Sequence, residues 1–88
     1  MSNEPKQQSN RPEPIAVRQI RFVGHVDIPG KGQSQSVTAD PKKPQHQHFW
    51  SIEFLPWLRH HRVTWHGPSG ETAVRMVPEA HVSTWEPV

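Results

Sequence analysis

Five of the seven histidines and three of the four tryptophans fall between His46 and His66, in the run His-Gln-His-Phe-Trp-Ser-Ile-Glu-Phe-Leu-Pro-Trp-Leu-Arg-His-His-Arg-Val-Thr-Trp-His. Imidazole nitrogens bind zinc and copper. On an extended chain His46 and His48 point to the same side, half of a metal site that His61 from a neighbouring segment would extend. No carboxylate stands close to that pair, and solvated or hydrogen-bonded histidine is the commoner use of the residue. A His-rich metal site at His46, His48 and His61 is therefore a second alternative, and no cofactor is expected. The same histidines make the charge rise steeply below about pH 6.5. If His48 or His61 is buried in its neutral form, stability should fall as the pH drops below that value.

The second constellation is Pro56-Trp57-Leu58-Arg59-His60-His61-Arg62. It sets a large π face beside a small basic cluster. Bases stack on such a face while guanidinium groups meet phosphates. Trp and Arg are equally the residue types that dominate protein interfaces. The predicted partner-binding residues are Trp57, Arg59, His60 and Arg62, joined by Lys42 and Lys43 from a loop, and the partner is nucleic acid or another protein. A formal charge of +2 permits an anionic partner without demanding one.

Catalysis finds no support. No two carboxylates share a face that the spacing defines. Ser69 sits in Gly67-Pro68-Ser69-Gly70, which is turn chemistry and lacks the Gly-x-Ser-x-Gly elbow. Gly30-Lys31-Gly32 is too short for a phosphate loop. With no cysteine, thiol nucleophiles, disulfides and Cys-based zinc sites are excluded. The chain reads as a non-enzyme.

Strands must position these residues. Ile20, Phe22, Val26 and Ile28 share one parity, the period of a half-buried strand over Ile15 to Ile28. Ile15 and Val17 lie on the other parity, which requires a bulge near Arg18 and Gln19. Pro29-Gly30-Lys31-Gly32 ends the strand. Gln33 to Gln45 has only Val37 and Ala39 among its polar residues and reads as loop, so a long flexible loop is expected at about 29–45. Trp50, Ile52 and Phe54 form the inward face of a second strand that Pro56 stops. Val63 and Trp65 face inward on a third, which Gly67-Pro68-Ser69-Gly70 folds back against Thr72 to Met76. Pro78-Glu79-Ala80 suits one helical turn, and His81 to Trp85 a last strand.

The expected fold class is all-β and mainly antiparallel, a five-stranded barrel or strongly twisted sheet with one short helical turn. This order resembles the SH3-like small barrels, in which a helical turn precedes the closing strand; the likeness covers Ile15 to Trp85 and is one of architecture alone. Residues 1–14 are polar, with Pro5, Pro12 and Pro14, and are predicted to be a disordered arm ahead of a single domain at 15–88. No apolar run approaches the ~20 residues that span a bilayer, and the opening residues have no apolar signal core. The expectation is a cytoplasmic protein without membrane contact. A small binding module is the first reading; a structural or accessory subunit of a larger assembly, such as that of a phage or mobile element, is the alternative.

Overall fold

The computed structural model describes residues 13–39 and 48–88, and six strands run through them. They are β1 (Ile15–Ile28), β2 (Gly32–Thr38), β3 (Phe49–Leu55), β4 (His60–His66), β5 (Thr72–Pro78) and β6 (Val82–Pro87), with a 3-10 turn at Glu79–His81 between the last two. All pairings are antiparallel. The sheet order is β2-β1-β3-β4-β5, with β6 added to β1, and no β5–β6 ladder closes the ring among the described residues. The sheet is therefore a half-barrel, as expected of a strongly twisted all-β chain. None of the described residues forms a helix long and apolar enough to cross a membrane.

β1 organises the sheet because it is long and bent. Its start pairs with β3 and its end with β2, while β6 takes the other side. The expected bulge is present: the β1–β6 register shifts between Val17 and Gln19, and Val17 and Ile20, on opposite parities, are both buried. A second irregularity follows. Between Arg21 and Val26 the register with β2 slips, with Gly24 at φ 83° and the buried Phe22 and Val26 on either side of it.

The expected loop at about 29–45 needs correction over its first half, because Gly32–Thr38 is a strand. Its inward positions are Ser34 and Val37, so the apolar alternation that marks a strand is half replaced by a small hydroxyl residue. Ser34 satisfies that hydroxyl by donating to the Gly32 carbonyl at 2.9 Å. Backbone pairing to β1 holds β2 in place, which side-chain periodicity does not reveal. The described residues accordingly hold six strands.

The core gathers Val17, Ile20, Phe22, Val26, Ile28, Val37, Ile52, Val63 and Val77, and Trp50, Phe54, Val82 and Trp85 pack against it half-buried. The β4–β5 hairpin pairs as expected, His66 opposite Thr72 and His61 opposite Val77. This register turns Val77 inward and leaves Val74 54% exposed on the outer face.

Candidate interaction surface

The β3–β4 turn is where Trp57, Arg59 and His60 meet. Pro56 has no N–H for the ladder and ends β3. The Leu55 carbonyl then accepts from Leu58 N–H at 3.0 Å and from Arg59 N–H at 2.8 Å. Arg59 adopts φ 55°, the only positive φ of a non-glycine among the described residues. Such a conformation costs about 1–2 kcal/mol and persists because both ends are tied: its N–H reaches back to Leu55, and its carbonyl accepts from Glu79 N–H at 2.9 Å. His60 Nδ1 lies 2.6 Å from the Leu58 carbonyl. A carbonyl can only accept, so Nδ1 carries the hydrogen. The turn is a braced platform, and on it Trp57 and Leu58 are each 49% exposed.

Arg62 has a different fate from its neighbours. Its Nε and Nη2 both donate to Glu53 Oε1 across the β3–β4 ladder, the first at 3.1 Å. The two side chains are about 40% exposed. The charge is thus matched by a carboxylate and turned along the outer face of the sheet, where it lines a groove of about 780 Å³. Ser51 Oγ and His66 Nε2 lie 2.9 Å apart on the same floor, and Phe49 stacks on the His66 ring with centroids 4.5 Å apart. Val74, Ala39 and Val88 also line the groove.

Of the six predicted partner-binding residues, the structure brings Trp57, Arg59 and His60 together on one turn. It places Arg62 two residues farther along β4, in an ion pair. Lys42 and Lys43 lie outside the described residues, as do His46 and residues 1–12 of the predicted arm. Leu58 was not singled out by sequence reasoning. Its signal is the position next to Trp57 in a turn started by Pro56, where a second large apolar residue has no strand face to enter.

His48 and His61 do not converge. His48 accepts from Trp65 Nε1 at 2.9 Å, its ring 4.9 Å from Trp50, at the end of the sheet that holds the Pro29-Gly30 turn. His61 stands opposite Phe54, six residues along β3 from His48, about 20 Å of extended chain. One ion cannot bridge that distance. Among the described residues no group of three or more His, Cys, Asp or Glu is arranged to hold a metal.

His61 is instead a core residue. It is 0% exposed, and neither ring nitrogen has a hydrogen-bond partner. Its ring packs 4.7 Å from Phe54 and 5.2 Å from Trp85, centroid to centroid. Burial pushes its pKa below the ordinary 6.5, against a smaller upward pull from the Glu79 carboxylate.

No protein-family model matches the chain, and neither the curated proteins nor the solved structures compared with it give a significant match.

Proposed function

We propose that the chain is a non-enzymatic binding module that takes a protein partner on the β3–β4 turn, through Trp57, Leu58 and Arg59 with His60 beside them. The observation that carries this reading is the pair of adjacent large apolar side chains, each 49% exposed, on a turn whose backbone is tied at both ends. An exposed Trp-Leu pair on a rigid turn loses little conformational entropy on docking, and Trp with a neighbouring Arg is the composition of an interface hot spot. A protein is favoured over nucleic acid because the Arg62 guanidinium already faces Glu53. Phosphate recognition draws its affinity from several cations acting together.

The test compares capture of cellular proteins by the immobilised wild type, by Trp57→Ala and by Val23→Ala, a control at another exposed apolar position. A protein held by wild type and Val23→Ala and lost by Trp57→Ala is expected, and with that protein purified the affinity should change little between low and high salt. Equal capture by Trp57→Ala refutes the site. If a mixed-sequence single-stranded oligonucleotide shifts the Trp57 and Arg59 resonances, and high salt reverses the shifts, the site passes to nucleic acid.

A further inference from the structure

A neutral imidazole with two unpartnered nitrogens in an aromatic cluster is a poor choice for stability alone. A buried polar group without a hydrogen bond costs about 1–3 kcal/mol, and an apolar ring would fill the same space. His61 stands where the cost has a consequence. Its ring joins two parts of the half-barrel, since Phe54 belongs to β3 and Trp85 to β6, and those two rings also touch, centroids 5.1 Å apart. Protonation would put a full charge and a second N–H donor into this contact with no acceptor to receive either.

The charged groups around it are few. On β3, Glu53 is turned to the outer face and held by Arg62. On β5, the cross-strand partner is Val77, and Arg75 is the strand's cation. On β6, Glu86 lies outward against Arg18, 3.5 Å away with both side chains more than half exposed. On β4 itself, His60 is engaged with the Leu58 carbonyl. Glu79 of the 3-10 turn is the carboxylate whose field favours the protonated ring.

The two sides of the cluster differ in how firmly they are held. β4 is paired along its whole length, residue for residue, with β3 on one side and β5 on the other. β6 pairs with β1 only, and its register is interrupted at two places. None of the nine core residues belongs to β6, whose Val82 and Trp85 are only half-buried. When the imidazole must reach water, the strand that gives way is therefore β6.

We propose that His61 is an acid-operated latch: its protonation releases β6 and the adjoining 3-10 turn from the sheet while β3, β4 and β5 stay paired. The sign follows from burial. Above about pH 6.5 the ring is neutral in the latched and released states alike, and the latch holds fully. Below that value the released state takes up a proton that the latched state resists, so release grows by up to about tenfold for each pH unit.

The experiment is amide hydrogen exchange on the full chain at about pH 7.5 and about pH 5, expressed as protection factors so that the intrinsic pH dependence is removed. Protection at Val82 to Trp85 and at their β1 partners Ile20 to Phe22 should fall by up to about thirtyfold, and at about pH 5 it should lie well below that of Ile52 and Val63, whose exchange waits for unfolding of the whole sheet. In His61→Phe, which keeps an aromatic ring beside Phe54 and Trp85, the fall should be absent. Unchanged protection in β6 overturns the latch, as does protection at about pH 5 that is the same in β6 as at Ile52 and Val63, or an undiminished response in His61→Phe. Should that variant not fold, the strand-by-strand pattern in the wild type decides alone.

Discussion

The Trp65 indole lies against the backbone of Gly30, and this contact can be tested with internal controls. Gly30 sits in the middle of the β1–β2 turn at φ 77°, and a Cβ built there would fall on the indole ring, well inside van der Waals contact. Gly24 and Gly32 share the conformation, both at φ 83°, but a Cβ at either meets nothing within 4 Å. Alanine in the left-handed region costs about 1–2 kcal/mol, offset in part by about 0.4–1 kcal/mol from the stiffer unfolded chain. Gly24→Ala and Gly32→Ala should therefore each lose on the order of 1 kcal/mol. Gly30→Ala carries the same backbone term and must also move the indole, which breaks the Trp65 Nε1 to His48 Nδ1 hydrogen bond and disturbs the Trp50 pairing opposite. Overpacking of this kind costs about 1–3 kcal/mol. The difference between Gly30→Ala and Gly24→Ala should then be about 1–3 kcal/mol, roughly 5–20 °C in Tm for a domain of this size. Urea and thermal unfolding followed by far-ultraviolet circular dichroism avoid the perturbed indole as a probe. If Gly30→Ala unfolds within about 0.5 kcal/mol of Gly24→Ala, the indole does not rest on Gly30 and the account of this end of the sheet is wrong.

Other consequences are simpler to state. Trp57→Ala should leave the urea midpoint within about 0.5 kcal/mol of wild type, because the side chain is half exposed and supports no core residue; a loss above about 2 kcal/mol would assign Trp57 to packing rather than binding. Arg62→Met should cost less than about 1 kcal/mol, since an ion pair with side chains about 40% exposed is well screened, and chemical denaturation at low and high salt checks this. Ile20→Ala, at a site with 0% exposure, should lose about 2–5 kcal/mol, which circular dichroism would register as a large drop in midpoint or loss of the fold. Because burial holds the His61 pKa below 6.5, the wild-type thermal midpoint should be level above about pH 6.5 and fall as the pH is lowered from there. A midpoint that does not move over that interval would contradict the burial of a neutral ring.

Strand parity made much of the sheet legible before any coordinates. Ile20, Phe22, Val26 and Ile28 announced the long strand, and the misplaced parity of Val17 announced its bulge, because burying residues on both parities requires an extra residue between them. The hairpin of Val63 to His66 with Thr72 to Met76 followed from one compact Gly-Pro-Ser-Gly turn, and its register sets His66 opposite Thr72. β2 was not legible, since an edge strand with Ser34 in an inward position is specified by the donors and acceptors of its neighbour rather than by its own side chains. The site divided along the same line. Trp57, Arg59 and His60 are contiguous in a turn, so sequence adjacency placed them together. Arg62 looked equally basic from sequence, but its ion pair depends on the cross-strand register that sets it opposite Glu53. Parity put His61 inward with Val63, yet its lack of hydrogen-bond partners depends on which rings arrive from β3 and β6.

The turn and the latch share one connector. The Glu79 backbone N–H donates to the Arg59 carbonyl and so helps hold the strained residue that presents Trp57 and Leu58. The Glu79 carboxylate is the charge that acts on the His61 ring. If the 3-10 turn leaves with β6 in acid, Arg59 loses the hydrogen bond at its carbonyl, and the left-handed conformation is then held only through its N–H, by the Leu55 and Pro56 carbonyls. The platform should become mobile under the conditions that open the latch. Binding through Trp57 would then weaken below about pH 6.5 in the wild type and lose that dependence in His61→Phe, although position 61 is fully buried and touches no partner. A binding affinity with the same pH dependence in both proteins would show that the two features are independent.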